Sequence, residues 1–238
     1  MATIYQHSTL AALMAGLLGG TTTVGELLTH GNTGIGTMHG VDGEVIILNG
    51  QVYQATADGQ VHHITDKTAT LPFATLHQEE AATATPITVQ DATMQTMNMV
   101  NEQHLTNNFS SIVLQGTFEH VQVRVAPKAT EPFPSLLDLT EQQPIFEKND
   151  IAGTLVGYYS PALYHGVVAA GWHIHFLSDD RQFAGHVLAF NAQTLTGTLT
   201  AFADYQLHLP IDNVAFREHE LDMTNLSAGI TAAEGGAE

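Results

Sequence analysis

Residues 171–190 read GWHIHFLSDDRQFAGHVLAF and hold three of the chain's fourteen histidines. The stretch reads as strand, turn and strand. Successive side chains on a strand point to opposite faces. His173 and His175 therefore share one face, while Trp172, Ile174 and Phe176 share the other and can pack a core. SDDRQFAG has the composition of a turn. HVLAF then returns as the neighbouring strand and can set His186 beside the first two histidines. Three imidazoles converging on one face suit a first-row divalent metal, with zinc the default. A fourth position left to water or substrate marks a catalytic site rather than a structural one.

Working outward, the same strand rhythm recurs. EVIIL and QVYQA flank Asn49-Gly50, the strongest short-range signal for a two-residue hairpin turn. GQVHHIT reads as a third strand and LPFATLH as a fourth. SIVLQGTFEHVQVRVAP alternates cleanly from 119 to 125. Helical expectations fall on residues 8–29, in two short pieces broken at Gly19-Gly20 with threonines able to cap the second, and on residues 86–108. KATEPFPSLLDLTEQQPIFEKND carries three prolines and most of the local charge, and reads as a connector between halves. The expectation is an α+β protein of two-part mixed β-sheet architecture with flanking helices. Residues 1–130 form an N-terminal mixed-sheet domain. Residues 131–238 form a C-terminal zinc-binding domain with an acidic tail.

Composition narrows the partners. Six Lys+Arg stand against 24 Asp+Glu, a formal net charge of −18 over 238 residues. Such a surface repels nucleic acid and anionic lipid, so neither is an expected partner. It repels a small anion at long range as well, so any anion site must carry its own local positive charge. Cysteine is absent, which excludes disulfides and thiolate chemistry. The apolar run STLAALMAGLLGG is too short to span a bilayer and lacks the basic residues that open a secretory signal, so the expected location is the cytoplasm.

Two charged residues sit where a strand should be apolar. Glu44 precedes Val45, Ile46 and Ile47, and is either exposed at an edge or held in a site. Arg124, one of three arginines, shares a face with Gln122 while Val121, Val123 and Val125 take the other. Its planar fork suits Glu44 or a substrate carboxylate. His39 and His120 have neighbours that allow a supporting role, and at most one of His62 and His63 could join a site. An H-x-H pair on a strand also occurs in carbonic anhydrases and cupins; the Glu that cupins place shortly after it is replaced here by Ser178, Asp179 and Asp180.

Three blocks, LLTHGNTGIGTMHGVDGEVIILNGQVYQ, VQVRVAP and GWHIHFLSDDRQFAGHVL, resemble in order and spacing the hallmark blocks of bacterial α-acetolactate decarboxylases. The resemblance runs from about residue 5 to about residue 234. It implies a zinc enzyme without an organic cofactor, acting on a small anionic keto acid as a homodimer. The implied reaction takes 2-acetolactate to (R)-acetoin and CO2 through a zinc-stabilised enediolate protonated on one face. It implies that His173, His175 and His186 hold the zinc and that Thr37, Glu44 and Arg124 lie in the pocket. It also brings in a tail glutamate, best matched by Glu234, with Glu238 and Glu220 as alternatives. Two rivals share the residues: a zinc hydrolase with Glu44 as general base, and a non-catalytic metal- or ligand-binding module.

Overall fold

The computed structural model describes residues 2–140, 142–221, 226 and 229–230. The chain opens on strand β1 (Thr3–His7) and passes into two short helices, α1 (Leu10–Met14) and α2 (Val24–Leu27). Thr9 and Thr23 cap them, each accepting from a backbone N–H three residues on, at 3.2 and 3.1 Å. Strand β2 (Thr22–Thr23) leads into the second helix. The helical reading of residues 8–29 holds, with the break between Met14 and Thr22.

Next come β3 (Thr33–Met38), β4 (Asp42–Leu48), β5 (Gln51–Ala55) and β6 (Val61–Ile64). Asn49 and Gly50 take φ of 52° and 73°, the left-handed pair that a tight hairpin turn needs. β7 (Thr70–Leu71) pairs with β2, and β8 (Phe73–His77) enters the main sheet. That sheet has seven strands in the order β14-β1-β8-β3-β4-β5-β6, where β14 is Asp204–His208. β14 lies parallel to β1 and the other pairs are antiparallel, so the sheet is mixed. β4 is covered on both faces. Val45 and Ile47 pack with Leu27 and Leu76 on one side, while Ile46 and Leu48 face the second sheet with Val156 and Leu177. This explains the unbroken apolar run in EVIIL.

The second sheet holds β9 (Thr85–Thr93), β10 (Ser110–Arg124), β11 (Ile145–Ser160), β12 (Gly171–Ser178) and β13 (Ala184–Ala201). β10 pairs with both β11 and β13, so β10, β11, β12 and β13 close on themselves. Phe118, Phe176 and Phe190 fill the interior of that circuit, edge to face with centroids 5.0 and 5.9 Å apart.

Residues 86–108 depart from the helical expectation. Ile87, Thr88 and Val89 belong to β9, which pairs with β13, and only Met99–Glu102 is helical (α3). Met94, Met97 and Met99 pack under the second sheet and Val100 is buried on the single turn of α3, so the apolar spacing does not make a long helix. The division of the chain between sheets also differs from a boundary at 130/131. β9 and β10 precede that point yet belong to the second sheet, and β14 returns to the first. β10 and β11, on either side of it, pair along almost their whole length. Within the intervening segment, α4 (Leu136–Thr140) packs two leucines into the core. Among the described residues no helix is long and apolar enough to cross a membrane.

A buried polar network ties the sheets together. Tyr158 of β11 is 2% exposed, and its hydroxyl lies 2.7 Å from His77 Nδ1 and 3.0 Å from the Thr33 carbonyl. His77 Nε2 donates to Glu79 at 2.6 Å. Burial raises the Glu79 carboxyl, but bonds from His77 and Thr198 outweigh it and hold the group below its usual range. Tyr158→Phe strips a hydroxyl from two buried partners. We expect a loss of about 1–3 kcal/mol in urea unfolding with an unchanged m-value. A variant as stable as the wild type would show that the network does not join the sheets energetically.

Candidate metal centre

The β12–β13 hairpin is short where it matters. Its ladder has three pairs: Leu177 with Ala184, Phe176 with Gly185, and His175 with His186. The turn must therefore hold the register, and it is strongly braced. Ser178 Oγ donates to Asp180 at 2.6 Å and accepts from the backbone of Gln182 and Phe183. Arg181 takes φ of 60°, returns Nη1 to the Ser178 carbonyl at 2.7 Å, and stacks its guanidinium over Tyr53 of β5 at 5.3 Å. The SDDR turn thus docks the hairpin on the first sheet.

A second ladder brings in Arg124. Directly opposed residues of neighbouring strands project to the same side. Arg124 opposes His186 across β10 and β13, so Arg124, His186 and His175 lie on one rung spanning three strands. A register shift makes this possible. Gln122 opposes Ala189, but Val123 opposes Val187, leaving Leu188 as an extra residue on β13. Phe190 and Val187 both face the interior although three residues apart, and His186 turns to the opposite face. A one-residue slip would reverse this. Gly185 fits under the rung because a Cβ there would lie 2.8 Å from the Arg124 carbonyl oxygen.

The three imidazoles meet with ligand atoms within 4.8 Å of one another. His175 is 1% exposed, and its Nδ1 donates to the Val45 carbonyl at 3.0 Å. That bond fixes the tautomer and leaves the Nε2 lone pair facing the cavity. His173 Nε2 lies 3.2 Å from His175 Nε2. Two imidazole nitrogens sharing a tetrahedral zinc stand about 3.3 Å apart, from the usual Zn–N length. Burial, reinforced by Arg124, lowers the His173 pKa to about 3. Burial again leads for His175, with His173 and Arg124 adding to it against the Val45 bond, and its pKa falls well below the ordinary value. Both rings are neutral at physiological pH, as metal ligands must be.

Glu44 completes one side. Its Oε1 accepts from the Ala126 N–H at 3.1 Å, and its Oε2 lies 3.4 Å from His175 Nε2. A carboxylate oxygen thus confronts an imidazole lone pair, an arrangement that a cation between them would satisfy. The donor set fits a metal. Gly43, with φ of 76°, makes the tight approach before Glu44; a Cβ there would fall 1.9 Å from the Ala55 carbonyl oxygen. Thr37 Oγ1 donates to the Gly43 carbonyl at 2.7 Å and so braces the same corner. Arg124 Nη2 sits 3.3 Å from His186 Nε2.

Thr37, Glu44, Arg124, His173, His175 and His186 all line one cavity, whose remaining wall is largely apolar: Leu10, Leu13, Ile35, Phe73 and Leu136. Glu234 and Glu238 lie outside the described residues. Glu220 is exposed beside a groove formed with Met14 and Leu221, and it does not line this cavity. His39 accepts from Gly20 N, His120 lies 3.5 Å from Glu147, and His63 stacks on Tyr53; none lines the cavity. The wall also contains Thr140 and Gln143, from the stretch that composition marks as a connector. No motif or spacing in the sequence singles them out.

Comparison with known proteins agrees in family and fold. A family model described as alpha-acetolactate decarboxylase matches residues 4–223. The alpha-acetolactate decarboxylase of Lactococcus lactis subsp. cremoris is 37% identical over 97% of this chain and 98% of its own. The enzyme of that name from Klebsiella aerogenes is 34% identical over 97% of this chain and 88% of its own. The crystal structure of alpha-acetolactate decarboxylase from Bacillus subtilis strain 168 superposes with a TM-score of 0.91 at 27% identity, over 98% of this chain and 99% of that one. A Staphylococcus aureus protein, described as of unknown function and similar to alpha-acetolactate decarboxylase, reaches 0.93 at 37% identity, over 98% and 100%.

The geometry makes a direct prediction about the metal. The purified protein should carry about one divalent ion per chain, and His173→Ala or His186→Ala should each reduce that to a small fraction, because a site of three protein ligands cannot spare one. Elemental analysis of the folded variants measures this. Undiminished metal in both would place the ion elsewhere.

Proposed function

The chain belongs to the alpha-acetolactate decarboxylase family, and we propose that it converts 2-acetolactate to (R)-acetoin and CO2 with zinc at His173, His175 and His186. The observation that carries this reading is one cavity gathering three imidazoles, a carboxylate and a guanidinium against an apolar wall. Acetolactate is a β-keto acid. Loss of CO2 breaks the bond to the carboxyl carbon, and the electron pair passes toward the ketone oxygen. Zinc supplies the Lewis-acid polarisation of that carbonyl, worth several kcal/mol in comparable sites.

The chain's own residues do the rest. Neutral imidazoles contribute no charge of their own. Arg124 provides the fixed positive charge that an anionic substrate needs inside so acidic a protein. Leu10, Leu13, Ile35 and Phe73 keep water from the carboxylate, whose charge disperses as CO2 leaves. The enediolate then takes a proton on one face. Guanidinium scarcely gives up its proton, so we assign the relay to Glu44, which takes a proton from solvent water and passes it to the carbon that lost CO2. Its Oε1 is anchored on the Ala126 N–H while Oε2 faces the cavity side of His175. Thr37 spends its proton on the Gly43 carbonyl and acts as a brace with lone pairs to offer.

The deciding experiment adds acetolactate to the zinc-loaded protein and measures CO2 and acetoin together. Ester or amide turnover without CO2 would instead make the site a hydrolase. In the same assay Glu44→Gln keeps an acceptor for Ala126 N–H, so fold and zinc should persist while the rate falls about a hundred-fold or more. A near-normal rate would remove Glu44 from the proton path.

Arg124→Lys separates orientation from proton donation. The lysine keeps the charge but loses the fork. With Arg124 as the orienting cation, the variant should be slow, and its acetoin should lose enantiomeric purity because the intermediate can be protonated from either face. Chiral chromatography reads the outcome. A slow variant with enantiopure product would make Arg124 the donor.

A further inference from the structure

Gln143 lines the same cavity, and the chemistry above makes no use of it. It follows α4, and its position is tightly set. The Pro144 carbonyl accepts from Val125 N at 3.2 Å, the residue between Arg124 and Ala126. One residue later, Ile145 opposes Arg124 across the β10–β11 ladder. The Gln143 amide is thus delivered to the wall beside the residues that hold Arg124 and Glu44. Its Oε1 is buried without a hydrogen-bond partner among the described residues. The lining also holds the apolar side chains of Leu10, Leu13, Ala126 and Leu136, and the Thr140 hydroxyl already donates to the Leu137 carbonyl at 2.8 Å. Among the described residues two other buried side-chain oxygens are in the same position, Ser110 Oγ and Tyr205 OH, but neither lines this cavity.

A buried amide oxygen with no donor destabilises the folded chain, and a leucine or methionine would fill the same space without that cost. An acceptor kept on the wall of a binding cavity is explained by a donor that arrives with the ligand. On the reading proposed above, on which this inference rests, the ligand is 2-acetolactate. Its ionised carboxylate and its ketone only accept. Its tertiary hydroxyl is the one group that donates. We propose that Gln143 Oε1 accepts a hydrogen bond from the substrate's tertiary hydroxyl and makes the site specific for 2-hydroxy-3-keto acids over simple β-keto acids. Fixing the hydroxyl sets the rotation about the carbon that loses CO2. The breaking bond can then stand perpendicular to the carbonyl plane, where its electron pair overlaps the acceptor orbital.

The test uses Gln143→Met, which keeps length and flexibility and removes the acceptor. Its melting temperature should equal or exceed that of the wild type, since an unpartnered polar atom is removed. Its kcat/KM for 2-acetolactate should fall about ten-fold, the loss expected for one hydrogen bond of the stronger sort. The same pair of proteins is then compared on 2,2-dimethylacetoacetate, in which a methyl replaces the hydroxyl, taken as substrate or as competitive inhibitor. Here wild type and variant should agree within about two-fold, because the lost bond was never available. An unchanged kcat/KM for acetolactate overturns the proposal. Equal losses on both compounds also overturn it, because they would assign Gln143 to cavity shape. A lowered melting temperature does so as well, because it would mean that the amide is already bonded within the fold. Failure of the underlying reading is separately visible: the wild type itself would release no CO2 from acetolactate.

Discussion

The bond from His175 Nδ1 to the Val45 carbonyl is the constraint on which the site depends. It joins a strand of the second sheet to the middle of the first. It chooses which nitrogen of a fully buried ring carries the proton, and it aims the other at the cavity. Val45 follows Glu44, so the residue that orients the His175 ring is next to the one that supplies the carboxylate. Moving one sheet against the other by a single residue would detach the imidazole from the Val45 carbonyl and carry it away from Glu44. The apolar contacts of Ile46, Leu48, Val156 and Leu177 and the Tyr158–His77 network resist that slide. The Arg181–Tyr53 stack acts at the hairpin's far end. Stability and chemistry therefore rest on the same interface.

Much of this was legible in the residues. Alternation alone places His173 and His175 on one face and Trp172, Ile174 and Phe176 on the other, and Asn49-Gly50 announces its hairpin. The convergence of Arg124 with His186 was not legible, because it depends on the extra residue at Leu188. A bulge leaves no reliable mark in a single sequence; HVLAF reads as an ordinary strand with or without it. Residues 86–108 mislead for a related reason. The methionines and Val100 recur at helical spacing, but β9 gains more by completing the edge of β13 than a lone helix would gain in the same place.

Composition misleads most about where the chain divides. The proline-rich stretch between Lys128 and Asp150 looks like a linker because its outward residues are polar and charged. Its inward residues, Leu136, Thr140 and Gln143, close the cavity. The real crossings between sheets follow β8 and β13. The second of these lets β14 lie along β1, so that His7 and His208, 201 residues apart, meet nitrogen to nitrogen at 3.0 Å. Pairing of that range has no local signature, since nothing in either strand names its partner. The resemblance to a known family carries more about the site than periodicity does, because it links distant blocks that propensity treats as independent.

The charge distribution now has a physical sense. A chain of formal charge −18 repels every small anion at a distance, and repels all of them alike. Selection must then occur inside, where low polarity strengthens each interaction. Burial and Arg124 keep His173 and His175 neutral, so neither would offset the charge of a cation held there. Arg124 shares a rung with His175 and His186 and adds one positive charge, fixed by the ladder rather than by a flexible loop. Glu44 brings a carboxyl group to the same cavity, one oxygen anchored on the Ala126 N–H and the other 3.4 Å from His175 Nε2. The net field of the cavity is therefore a balance of a few groups on adjacent strands. Three of those groups, Arg124, His186 and His175, take their places from one rung, so a shift of any strand in it would disturb all three.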